Sequence, residues 1–133
     1  MRKILLVPLA ALAACTAAGD EVETSPADQA ALTEALTGRT AGEPVACVRS
    51  QELRGNRSVG ERMILFDGPG DTVYVNRTRS ACPRIQPWNA LRWQSTQTAM
   101  CAGEVVHVFD PTTGVEIGAC GLGEFTPYRR SGG

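Results

Sequence analysis

Four cysteines, at positions 47, 82, 101 and 120, constrain this chain more than any other feature of its sequence. An even number of cysteines spread over 74 residues, with no C-x-x-C pair and a single histidine in the chain, reads as a disulfide framework. Zinc would need closely spaced ligand pairs, so no metal is expected, and no motif implies a cofactor. The count alone allows three pairings. If the first and last strands of a small closed sheet adjoin, Cys47 meets Cys120 and Cys82 meets Cys101. Those loops of 74 and 20 residues would contribute roughly 4 and 3 kcal/mol in the loop-entropy picture.

Disulfides require an oxidising compartment, and the N-terminus supplies the route to one. Met1-Arg2-Lys3 is a basic start, followed by the apolar run Ile4 to Ala14. Eleven residues rise only about 16 Å as a helix, half a bilayer's hydrocarbon thickness, so this is a secretory signal and not a span. The junction Leu12-Ala13-Ala14-Cys15 resembles the lipobox of bacterial lipoproteins. The resemblance implies cleavage before Cys15, acylation of its thiol, and anchoring on the periplasmic side of a membrane with lipid as the partner. Thr16, where an aspartate would favour inner-membrane retention, tilts the expectation toward the outer membrane.

After residues 1–14 are removed, 11 arginines face 14 acids, a net charge of −3, which argues against a nucleic-acid partner. The charge is uneven. Residues 16–44 hold one arginine and six acids, whereas residues 45–133 hold ten arginines and eight acids. With almost no large apolar side chains, residues 15–44 read as a lipidated N-terminus and acidic flexible linker. Inside it, Ser25-Pro26-Ala27-Asp28, then Leu32, Leu36 and Gly38, spell a short helix with Ser25 as N-cap, marginal on its own.

From Val45 onward short apolar runs alternate with turn residues. Met63–Phe66 and Thr72–Val75 flank Asp67-Gly68-Pro69-Gly70-Asp71, a hairpin pattern, and Glu104–Phe109 and Val115–Ile117 flank Asp110-Pro111-Thr112-Thr113-Gly114 in the same way. Leu91–Gln97 alternates as a further strand, and Ala81–Asn89, with two prolines, reads as a loop pinned by Cys82. Residues 45–133 are therefore expected to be a mainly β domain, a small antiparallel β-barrel or sandwich of four to six strands.

Groups able to do chemistry are few. His107 sits inside a strand pattern with no sequence-placed Ser or Cys beside it, more in keeping with a half-exposed strand residue than with a general base. Glu104, Asp110, Glu116 and Glu124 could meet at one end of a sheet, although strand-end acids are usually just solvated. Arg77, Arg79 and Arg84 gather guanidinium groups around one loop, a candidate anion site, against the ordinary alternative of solvated surface arginines.

Met63-Ile64-Leu65-Phe66, Thr72-Val73-Tyr74-Val75-Asn76, Cys82-Pro83, Met100-Cys101-Ala102-Gly103-Glu104 and Cys120-Gly121-Leu122-Gly123-Glu124-Phe125 together resemble a family of small proteobacterial lipoproteins whose cysteine-containing domain has no assigned activity. The resemblance spans roughly residues 46–128 and implies an exported β domain, with no catalytic residues to carry over. The expectation is a membrane-tethered binding or accessory module with an envelope protein as its partner. The alternatives are an envelope enzyme acting on an anionic substrate and a purely structural envelope protein.

Overall fold

The computed structural model describes residues 24–94 and 98–131, so residues 1–14, Cys15 and the 95–97 end of the third strand pattern lie outside the described residues. In chain order the elements are α1 (Pro26–Ala35), β1 (Arg39–Ala41), β2 (Cys47–Arg49), a single 3-10 turn (Ser50–Glu52), β3 (Gly55–Ser58), β4 (Met63–Asp67), β5 (Val73–Arg77), β6 (Ala90–Trp93), β7 (Ala99–Cys101), β8 (Val105–Phe109), β9 (Glu116–Gly121) and β10 (Phe125–Arg130). All strand pairs are antiparallel. They form a five-stranded sheet in the order β1-β10-β5-β4-β3, a three-stranded sheet β6-β8-β9, and the pair β2-β7.

The protein is thus mainly β, as expected, but with ten strands among the described residues in place of four to six, and the sheets these strands form do not close into a barrel. Four of the additional strands are three or four residues long with at most one large apolar residue each, too short to register as apolar alternation, and the fifth, β10, is interrupted by Pro127 and ends on two arginines.

Alternation along β4 sets the layers. Met63 and Leu65 point to one side of the large sheet, where they pack with Val73, Val75, Val59 and Leu32 of α1. Ile64 and Phe66 point to the other side, where with Tyr74 and Phe125 they meet Val106 and Val108 of β8, Met100 of β7 and Val48 of β2. α1 and the three-stranded sheet therefore cover opposite faces of the five-stranded sheet.

The segment expected to be a linker up to residue 44 is folded from Ser25 onward. Ser25 Oγ accepts from the Asp28 N–H at 3.1 Å and donates to the Asp28 carboxylate at 2.7 Å, so α1 starts on a reciprocal cap. Leu32 is buried, and after Gly38 turns the chain at φ 73°, β1 adds to β10 through Arg39↔Arg130, Thr40↔Arg129 and Ala41↔Tyr128. Val45 exchanges two backbone bonds with Phe125, at 2.8 and 2.9 Å. Backbone pairing holds this stretch more than side-chain burial does, which is why its poor apolar content misled the sequence reading. Ser25→Ala is expected to cost about 1 kcal/mol, read as faster hydrogen exchange of the α1 amides. Unchanged exchange would show that the cap contributes nothing.

The disulfides are Cys47–Cys101 and Cys82–Cys120, which corrects the expected pairing. The first strand of the 45–133 stretch, β2, carries Cys47 but pairs with β7 and not with the last strand, β10. Cys47 and Cys101 face one another directly across β2 and β7, and Cys82 lies in the loop that passes along β9 beside Cys120. Among the described residues no helix is long and apolar enough to cross a membrane.

Candidate functional site

The outer face of the three-stranded sheet carries the groove where the chain's chemistry collects. On β8, Val106 and Val108 are fully buried, so Val105, His107 and Phe109 point outward. On β6, Leu91 and Trp93 turn in toward the core while Arg92, opposite His107 in the register, turns out. Period-two alternation alone would bring Ile117 to the outer face opposite Phe109. A β-bulge between Val108 and Phe109 shifts the β9 register by one residue, so Glu116 stands opposite Phe109 and Ile117 packs on the core.

The bulge brings the Glu116 carboxylate to His107, with Oε1 at 2.6 Å from Nδ1. Both side chains are nearly half exposed, 44% and 47%, so the contact adds little stability and acts chiefly to orient the imidazole. Nε2 of His107 makes no hydrogen bond among the described residues. The Arg92 guanidinium lies 4.4 Å from the centre of the Phe109 ring, a cation–π contact that holds it flat on the sheet. It has no carboxylate partner among the described residues. Leu91, Arg92, Trp93, Gln94, His107, Phe109 and Glu116 together line a groove of about 490 Å³.

An imidazole oriented by a carboxylate can act as a base or as a hydrogen-bond donor. No Ser, Thr or Cys lines this groove among the described residues, so the arrangement offers oriented polar groups around aromatic surface, which suits recognition.

The other candidate residues are dispersed. Arg77 lines a smaller cleft of about 230 Å³ with Pro44, Val75, Glu124, Thr126 and Tyr128. Arg79 lies against Gly103 and Gly121, and Arg84 donates to the Ile117 carbonyl at 3.3 Å while its backbone N–H donates to Glu61 at 2.9 Å. The three guanidinium groups thus have three different surroundings. The carboxylates separate likewise: Glu104 accepts from the Cys101 N–H, Asp110 accepts from the Thr112 and Thr113 N–H groups at 2.7 and 3.2 Å, Glu116 holds His107, and Glu124 lies beside Arg77.

Sequence reasoning named His107 and Glu116 separately and missed Arg92. Its signal was present, since the alternation Leu91-Arg92-Trp93 puts Arg92 on the face opposite two apolar residues.

No protein-family model, curated protein or solved structure matches the chain.

Proposed function

We propose that this is a lipid-anchored protein of the bacterial cell envelope, cleaved before Cys15 and acylated there, whose disulfide-stapled β domain is a binding module. The observation that carries the anchor is the cysteine accounting. All four domain cysteines are consumed in two internal disulfides, which leaves the Cys15 thiol, at the end of a signal-like segment, for lipid. Several acyl chains on one residue meet the requirement for stable membrane attachment.

Because the domain begins at Ser25, only nine residues, 16–24, separate it from Cys15, and that length spans at most about 35 Å. This is much shorter than the tether expected up to residue 44. α1, where the chain enters, covers the far face of the large sheet, and stacked sheets lie about 10 Å apart. The groove of His107, Glu116 and Arg92 is therefore on the side of the domain turned away from its entry point. That placement supports a module presenting its groove outward from the membrane toward an envelope partner.

The intact mass of protein from the membrane fraction is expected to equal residues 15–133 plus acyl groups, less four hydrogens for the two disulfides. Cys15→Ala is expected to shift essentially all of the protein from the membrane to the soluble periplasmic fraction. An unacylated mass, or a Cys15→Ala protein still bound to membranes, overturns the anchor.

The His107–Glu116 contact favours a second reading, an enzyme in which the oriented imidazole activates water. Loss of a hydrolytic activity in His107→Ala, with folding intact, would establish it.

A further inference from the structure

The three-stranded sheet treats its two edges differently. Along β9 the edge is sealed by residues 79–84: the Arg79 N–H donates to the Gly121 carbonyl at 2.9 Å, the Gly121 N–H donates to Ser80 at 3.2 Å, Arg84 reaches the Ile117 carbonyl, and Cys82 is bonded to Cys120. At the opposite edge β6 pairs with β8 on one side only, and its outward backbone groups have no partner among the described residues. Open strand edges template pairing with another extended chain, and proteins ordinarily cover or blunt them. β6 also lines the groove, through Leu91, Arg92 and Trp93, with Gln94 just past its end.

We propose that β6 accepts an extended peptide of a partner protein as an added strand, and that this peptide alternates apolar residues with an acidic one. The proposal rests on reading the groove as a binding site. Three features meet at this edge. The backbone groups offer a ladder. Leu91 and Trp93 belong to the core yet are only partly buried, because the inner layer ends at β6, so apolar residues on the inner side of an added strand would complete that layer. Between them Arg92 points to the outer side, its guanidinium on the Phe109 ring and without a carboxylate partner among the described residues. A carboxylate on the facing residue, whose Cβ stands about 5 Å away across the strands, completes the pair. Glu116 does not compete for Arg92 in the same way, since its carboxylate is engaged by His107.

The free edges of the large sheet lack this combination. β1 is Arg39-Thr40-Ala41 and β3 is Gly55-Asn56-Arg57-Ser58, where Arg57 is already paired with Asp67 at 3.2 Å.

The test uses the mature chain carrying Cys15→Ser and three probes: acetyl-Val-Thr-Val-Glu-Val-Thr-amide, the same peptide with Gln in place of Glu, and the Glu peptide N-methylated at alternate residues. Amide chemical-shift changes are expected to concentrate on residues 90–93. Arg92→Ala is expected to weaken the Glu peptide about two- to fivefold and leave the Gln peptide unchanged, as for an exposed cross-strand charge pair. N-methylation removes the ladder and should abolish binding.

Equal binding of the N-methylated peptide, shifts confined to β1 or β3, or no response to any peptide would overturn the proposal. So would shifts on β6 that grow with protein concentration in the absence of peptide, since these would mean that a second copy occupies the edge. An acylated, membrane-bound protein that ignores all three peptides refutes the added strand alone. An unacylated protein that binds them refutes the anchor alone.

Discussion

Replacing Cys82 and Cys120 together by alanine lowers the free energy of unfolding by about 4 kcal/mol, the loop-closure value for a bridge between residues 38 apart. For a domain of this size that corresponds to a fall in Tm of roughly 20 °C. The bridge has this effect because little else ties the 79–84 segment to β9: two hydrogen bonds near Gly121 and one long arginine bond to Ile117. Both cysteines are also buried, at 0% and 3% exposure, so alanine removes core sulfur as well as the cross-link.

Cys47–Cys101 closes a longer loop, but it joins residues already opposite one another in β2 and β7, and Cys47 is exposed. Its removal is expected to cost less in practice, because the paired strands and the buried Val48 and Met100 keep the two chains together. Urea unfolding of the two double variants checks the order. A loss below 1 kcal/mol for the Cys82/Cys120 variant, or a larger loss for Cys47/Cys101, contradicts this account.

The parts of the fold that were legible in the sequence are local. Both hairpins announce themselves because their strands follow one another closely, their turns carry Gly and Pro or Asp, and alternation shows which face is buried. What was not legible depends on distant partners. Arg39–Ala41 has no strand signature of its own and becomes β1 only because β10, some ninety residues later, offers an edge. The disulfide pairing follows from which strands adjoin: β2, which carries Cys47, pairs with β7 and not with the last strand, and nothing local in the sequence announces that partner. The site was half legible. His107 and Glu116 stood out as residue types, yet their contact depends on a bulge that moves the β9 register by one residue, and nothing in Val115-Glu116-Ile117-Gly118 announces that slip.

Asn76→Leu is expected to cost about 3 kcal/mol, although leucine keeps the same branching at Cγ and the site is fully buried. The side-chain amide of Asn76 holds the backbone of Gly123 from both ends: Nδ2 donates to the Gly123 carbonyl at 2.9 Å, and the Gly123 N–H donates to Oδ1 at 2.9 Å. Gly123 is itself buried between β9 and β10, where the chain leaves the three-stranded sheet and enters the five-stranded one. No other hydrogen bond serves its N–H or carbonyl among the described residues, so leucine strands two buried backbone groups, at about 1–3 kcal/mol each before relaxation.

The close approach also demands glycine at the other end of the clamp, because a Cβ on Gly123 would overlap the Arg77 carbonyl oxygen. Gly123→Ala should therefore destabilise by at least as much as Asn76→Leu, and the two together by less than their sum, since each breaks the same link. Asn76→Asp separates the bonds: its carboxylate still accepts from the Gly123 N–H but cannot donate to the carbonyl, and at neutral pH it also buries a charge. Chemical unfolding of the four proteins gives the answer. Additive losses in the double variant, or an Asn76→Leu protein within 1 kcal/mol of the parent, would mean that the crossing between sheets is fixed by packing around Leu122 and Phe125 and not by this amide.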